Sequence, residues 1–184
     1  LEAGNEIPPL TIRANRLKGS REEVAEALAA EGVKTEPTRL SPQGLVIHDL
    51  TSASHLDKLK AMKQGLFTVQ DESSMLVAAV LDPQPGWTVI DVAAAPGGKS
   101  THLAELMNNQ GQVIAVDIHP HKIDLIEQNA ARLGAEIVQG VAMDAREIGQ
   151  HMVNRADAIL CDVPCSGLGT LARRADARWR KTPA

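Results

Sequence analysis

The chain has 184 residues, 43% of them hydrophobic and 23% charged, with 19 Lys and Arg against 23 Asp and Glu for a formal net charge of −4. This is the composition of a globular chain rather than a disordered one, and the negative balance excludes a protein that coats nucleic acid non-specifically; such a partner must meet a local patch. No apolar run approaches the ~18 residues of a membrane span, and the N-terminus has no signal-peptide pattern. Cys161 and Cys165 are the only thiols, too few for a disulfide framework, so the expected compartment is the reducing cytoplasm. The aromatics are Phe67, Trp87 and Trp179, with no Tyr, which excludes a multi-base stacking platform.

The chain divides into two units, residues 1–64 and 65–184. In the first, Leu10-Thr11-Ile12-Arg13-Ala14 alternates weakly like a strand. Ser20-Arg21-Glu22-Glu23 is a capping box. It opens a helix with Val24, Ala27 and Leu28 on one face and a stop at Gly32. Val33 to Pro37 and Leu45-Val46-Ile47 read as strands joined through Ser41-Pro42-Gln43-Gly44, followed by a short helix near Ser54–Lys63. The expectation is a small α+β unit ending near Gly65.

In the second unit, Asp71 or Ser73 caps a helix through Leu81 that Pro83-Gln84-Pro85-Gly86 ends. Strands are expected at Thr88–Val92, Val113–Asp117, Ile137–Gln139 and Ala158–Asp162, with Cys161 in the core. Helices are expected at Ser100–Met107 and at Pro120–Leu133, the latter with Pro in its first turn and Gly134 past its end. Short apolar strands alternating with helices imply an α/β, Rossmann-like parallel sheet with helices on both faces. Doubly wound sheets usually continue to about six or seven strands. The four found here suggest a sheet incomplete at the C-terminus.

Ligands of such sheets sit beyond the carboxyl ends of the strands. The first strand runs into Asp91-Val92-Ala93-Ala94-Ala95-Pro96-Gly97-Gly98-Lys99, where small residues allow close backbone approach and the next helix offers N–H groups. Asp117 ends the second strand, about 20 residues later, where an acid accepts from ribose hydroxyls. Asp144 follows the third strand and is placed for an adenine edge. Asp162-Val163-Pro164-Cys165 follows the fourth. Taken singly, the glycines fit an ordinary turn, Asp117 and Asp144 fit helix caps, and Cys165 fits a small core residue; their order along successive strand ends points instead to a nucleoside site. Arg173, Arg174, Arg178, Arg180 and Lys181 form the densest basic patch, equally suited to solvent or to phosphate. His102, His119 and His121 show no metal-ligand spacing, so no metal is expected. Gly98-Lys99-Ser100 ends like a P-loop, but the required first glycine is Ala93, and Pro96 removes an N–H from the cradle, which disfavours an ATPase.

These residues resemble a known family. Asp91 through Lys99 resembles motif I, and Asp162-Val163-Pro164-Cys165-Ser166-Gly167 motif IV, of the RNA cytosine-5 methyltransferases of the Nop2/Sun/Fmu family. Phe67 through Met75 looks like that family's entry to its catalytic domain, and Arg173-Arg174 with Asp176 and Arg178-Trp179 is similar to the stretch after motif IV. The likeness covers nearly the whole chain and is strongest toward the bacterial 16S rRNA enzymes of the Sun type, whose small RRM-like subdomain residues 1–64 resemble.

The resemblance implies methyl transfer from S-adenosyl-L-methionine to cytosine C5 of an RNA, with 16S rRNA the expected partner. It implies that Ala93, Ala94, Ala95, Pro96, Gly97, Gly98 and Lys99 line the cofactor, that Asp117 holds the ribose, that Asp144 sits by the adenine, and that Asp162 lies between the methionine end and the cytosine. Arg173, Arg174 and Arg178 are the expected RNA contacts. Cytosine C5 is not a nucleophile; a thiolate must first add to C6. The family uses two cysteines, with the motif IV cysteine, here Cys165, assisting release and a motif VI cysteine attacking. No motif VI pair follows Arg180, so the chain as given is expected not to turn over. The competing reading is a non-catalytic RNA-binding module.

Overall fold

The computed structural model describes residues 8–48, 56–163, 165 and 167. Two four-stranded sheets organise them. The first unit is β1 (Leu10–Ala14), α1 (Arg21–Ala30), β2 (Thr35–Pro37), β3 (Gly44–Ile47), a 3-10 turn (Leu56–Lys58), α2 (Lys60–Lys63) and β4 (Phe67–Val69). Its sheet is antiparallel, in the order β2-β3-β1-β4. The capping box forms as expected. The Ser20 side chain accepts from the Glu23 N–H, and the Glu23 carboxylate accepts from the Ser20 N–H at 2.7 Å. The helix end is set by Gly32, whose φ is +82°.

The weak alternation of β1 has a specific cause. Ile12 and Ala14 face a core with Val24, Leu28, Leu45, Ile47 and Phe67. Thr11, Arg13 and Asn15, on the opposite side of the pleat, are also buried. Their face is the contact with the second unit rather than a solvated surface. The fourth strand was not expected. Phe67–Val69 pairs with Ile12–Ala14, so the first sheet draws a strand from beyond Gly65. Three residues carry too little period to be read as a strand from sequence.

The second unit is α3 (Glu72–Leu81), β5 (Thr88–Asp91), α4 (Gly98–Leu106), β6 (Gln112–Asp117), α5 (Pro120–Leu133), β7 (Val138–Ala142), a 3-10 turn (Ala145–Glu147), α6 (Ile148–His151) and β8 (Ala158–Leu160). Its strands are parallel, in the order β7-β6-β5-β8. The chain winds outward from β5 to β7 and then returns to the other side of β5. The switch point therefore lies between β5 and β8, where a crevice opens at the carboxyl ends. One face packs Val89, Leu103, Met107 and Val113, the other Ile90, Ile114, Val116 and Ile148. Full burial of such a side chain contributes about 1.5–3 kcal/mol.

Several boundaries shift by one or two residues from expectation, and three of the differences bear on the site. β7 spans Val138–Ala142 because pairing with β6 carries the strand through Gly140. α4 begins at Gly98, not Ser100, since Gly97 at φ +97° makes the turn into it. β8 ends at Leu160, which corrects the placement of Cys161. That thiol lies past the strand and is exposed.

The two units are joined by polar contacts. Asn15 Nδ2 donates to Gly65 O at 2.8 Å and to Leu133 O at 2.7 Å. Lys18 Nζ donates to Gln64 O at 2.6 Å and to Arg132 O at 2.8 Å, placing a cation at the negative end of α5. Gly65 sits so close to α5 that a Cβ there would lie 1.9 Å from Arg132 O.

Candidate functional site

Parallel pairing puts the carboxyl ends of β5, β6, β7 and β8 on one rim. The first feature there is the turn after β5. Ala94 N–H donates to Val116 O at 2.9 Å, tying the turn to the end of β6, and Gly97 N–H donates to Ala94 O at 2.7 Å. Asn129 Nδ2 on α5 holds Pro96 O at 2.9 Å. The turn is thus fixed from both sides before it enters α4. The first-turn N–H groups of that helix have no intrahelical partner and carry the positive end of its dipole.

Asp91 is not a ligand group. It is almost wholly buried, and its carboxylate accepts from Ser100 Oγ at 2.7 Å. Burial pushes its carboxyl above the ordinary range, against the Ser100 hydrogen bond and the Ala93 N–H. Asp91 therefore braces strand against helix beneath the turn.

Asp117 ends β6. Its Oδ1 accepts from His119 N–H at 3.0 Å and lies 3.7 Å from Lys122 Nζ. Met143 N–H donates to Asp117 O at 3.1 Å, which brings the end of β7 alongside. Asp144 follows and caps the 3-10 turn. Its Oδ1 accepts from Arg146 N–H at 2.9 Å, and the Arg146 guanidinium grips both oxygens, at 3.0 Å through Nε and 2.5 Å through Nη2. Those hydrogen bonds hold the Asp144 carboxyl down at about 2. The cap and the candidate ligand are one residue.

On the other side of the switch point, Lys99 Nζ lies 2.5 Å from Asp162 Oδ2. This pair spans the crevice from the turn after β5 to the segment after β8. Cys165 is exposed, and its Sγ accepts from Gly167 N–H at 3.5 Å. The rim thus brings together Ala93 through Lys99, Asp117, Asp144 and Asp162, with Cys165 on the segment that carries Asp162. Arg173, Arg174 and Arg178 lie outside the described residues. Among the described residues, no group of three or more His, Cys, Asp or Glu is placed to hold a metal ion, and no helix is long and apolar enough to cross a membrane.

Sequence reasoning missed two participants. The first is the partnership of Lys99 with Asp162, which joins positions 63 residues apart and has no local signature. The second is Arg13, buried behind the turn. The only signal for it was a charged residue inside a run that read as a strand.

Comparison with known proteins gives the family and the fold. The family model for 16S rRNA methyltransferase RsmB/F matches residues 78–184. The chain belongs to this RsmB/F family. The ferredoxin-like domain model of the RsmF/B-like methyltransferases matches residues 1–53, in accord with the first sheet. A probable ribosomal RNA small subunit methyltransferase B of Bacillus subtilis is 43% identical over 180 residues, covering 96% of this chain and 39% of its own length. The crystal structure of PH0851 superposes with a TM-score of 0.89 at 36% identity, covering 98% of this chain and 41% of that one. NSun6 from Pyrococcus horikoshii with SFG superposes with a TM-score of 0.80 at 26% identity, covering 90% and 66%. The chain spans about 40% of the length of the curated relatives it matches. The fold is accordingly that of an RsmB/F-type chain, a ferredoxin-like antiparallel sheet joined to a Rossmann-like methyltransferase sheet.

Proposed function

We propose that the intact protein transfers a methyl group from S-adenosyl-L-methionine to C5 of a cytosine in RNA, with 16S rRNA as substrate, and that the rim residues of this chain form its donor site. The observation that carries the reading is the convergence of four strand ends on one crevice, each with the group a nucleoside donor needs. The residues fit the group. Asp117 Oδ1 is committed to His119 and Lys122, while Oδ2 is engaged by neither. That leaves an acceptor for a ribose hydroxyl. At Gly98 a Cβ would meet only Gln70 Nε2, in ordinary contact at 3.9 Å behind the turn. The first-turn N–H groups of α4 are the proposed contacts for the methionine end of the donor. Asp144 is proposed to accept from the adenine amino group beside its bonds to Arg146.

When bound, the donor supplies an electrophilic methyl on a sulfonium. The chain's own residues do the rest of what is proposed here. Ala93 through Lys99 shape the wall. Lys99 and Asp162 place an opposed charge pair at the reacting end, where Asp162 accepts a hydrogen bond from the cytosine edge and Lys99, 2.5 Å from Oδ2, holds that carboxylate in place. Cys165 assists release of the product. The attacking thiolate at C6 belongs to a second cysteine of the intact protein. Within these 184 residues the other thiol is Cys161, on the same segment as Cys165. The chain alone is therefore proposed to bind donor without turnover. Arg173, Arg174 and Arg178 are proposed RNA contacts.

Calorimetric titration of the folded chain with S-adenosyl-L-methionine tests the donor site, and absence of heat would overturn it. Transfer of labelled methyl from donor to 16S rRNA by the intact protein tests the activity. Product 5-methylcytosine is expected, and methyl on any other atom refutes the reading.

A further inference from the structure

Arg13 belongs to the first sheet, yet three of its four hydrogen-bond acceptors lie on α4, the helix that follows the donor turn. Nη1 donates to Gly98 O at 2.7 Å. Nη2 donates to Thr101 Oγ1 at 3.1 Å and to Glu105 Oε1 at 2.7 Å. The fourth acceptor is Gln70 Oε1, at the foot of α3. Both side chains of the Arg13–Glu105 pair are fully buried.

A buried ion pair is a poor source of stability, because desolvating both ions offsets most of their attraction, and an apolar pair of equal volume would join the two units as well. An arginine supplies direction instead. Its planar fork fixes several acceptors relative to one another. One of them is main chain: the carbonyl of Gly98, next to Gly97 with its φ of +97°. Glycines make that segment compliant on its own.

We infer that Arg13 is a positioning residue for the methyl donor. It locks the Gly97–Gly98 main chain in the shape the donor meets, so the ferredoxin-like unit sets donor affinity without touching the donor. This rests on the donor site proposed above. A control lies two residues along the same strand. Asn15 also crosses the interface, but to Leu133 at the far end of α5, away from the rim, its second bond holding Gly65 O within its own unit.

The test measures the Kd for S-adenosylhomocysteine, the KM for donor and for RNA, and the Tm of the intact protein and its variants. Arg13→Lys keeps a cation against Glu105 but cannot span the acceptors. It is expected to raise donor Kd and KM about tenfold, with kcat and the RNA KM changed by less than about twofold. Thr101→Val, which removes one acceptor of Arg13 together with the Thr101 hydroxyl's own hydrogen bond to Gly98 O at 3.1 Å, is expected to raise donor Kd about threefold. Asn15→Ala is expected to lower Tm at least as much as either while leaving donor Kd within about twofold. Donor affinity unchanged in Arg13→Lys and Thr101→Val would overturn the inference, as would a loss in Asn15→Ala that follows its Tm. Absence of binding by the unsubstituted protein would sink the donor site itself; binding by it that Arg13→Lys matches would sink only the role of Arg13.

Discussion

Lys99 Nζ and Asp162 Oδ2, 2.5 Å apart, close the crevice between β5 and β8. Both side chains keep solvent contact, 24% and 46% exposed, so their attraction contributes little to folding, on the order of 0–1 kcal/mol. Their value is local. Lys99→Met is expected to shift Tm by no more than about 2 °C. It should also cut methyl transfer by the intact protein about a hundredfold or more. A thermal melt beside a single-turnover assay separates the two effects.

Arg146 and Asp144 give a cleaner electrostatic test. The bidentate grip holds the Asp144 carboxyl at about 2, so it stays ionised through the range where ordinary carboxylates protonate. Arg146→Ala removes the guanidinium and should return that carboxyl upward toward the ordinary aspartate range. Carboxyl NMR titration of Asp144 reads the change. An unchanged midpoint would mean that the Arg146 N–H alone sets it.

His102 makes stability fall in acid. The ring is buried on α4 with Nε2 3.1 Å from Gln43 Oε1. Burial, with the charges of Arg13 and Arg16, depresses it to about 2. Above its unfolded value of about 6.5 neither state binds a proton there. Below that the unfolded chain protonates and the folded one does not, so folding free energy drops by about 1.4 kcal/mol per pH unit from this group. Asp91 and Glu105, raised by burial, act in the opposite sense as acid protonates them. Comparison of the native chain with His102→Gln cancels their part. The substitution should flatten the loss of Tm between about pH 6.5 and 5.

Gly65 brings the backbone of the first unit against α5 of the second. It has φ +70°, and a Cβ would meet Arg132 O at 1.9 Å. Neither main chain can give way without breaking the Asn15 and Lys18 hydrogen bonds to Gly65, Leu133, Gln64 and Arg132. Gly65→Ala is expected to cost about 2–4 kcal/mol, read by urea denaturation. Gly32→Ala is the comparison. Its φ is also left-handed, but open space surrounds it, so about 1 kcal/mol is expected there.

What could be read from sequence was what local chemistry encodes. Pro120 and Gly134 bracket α5 as expected, because each acts on its own backbone. The Ser20–Glu23 box did the same for α1. The acids at the strand ends were legible because an apolar run followed by an acid is contiguous. What escaped depended on pairing between distant segments. Phe67–Val69 becomes a strand because Ile12–Ala14 lies beside it. Arg13 tolerates burial because Glu105, 92 residues on, meets it. Cys161 looked like core because its neighbours are apolar, yet pairing with β5 stops at Leu160.

The short register of β8 has an outcome of its own. Val89, Ile90 and Asp91 align with Ala158, Ile159 and Leu160, with Asp157 N–H on Thr88 O at 2.8 Å before them and Val92 N–H on Leu160 O at 3.0 Å after them. Side chains on a strand alternate, so a slip by one position would turn Leu160 out of the core and carry the following carboxylate away from the lysine opposite. Inserting a single alanine between Ala158 and Ile159 would leave every chemical group of the crevice in place and still misalign it, which makes this three-residue ladder the ruler by which the two halves of the rim are measured against each other.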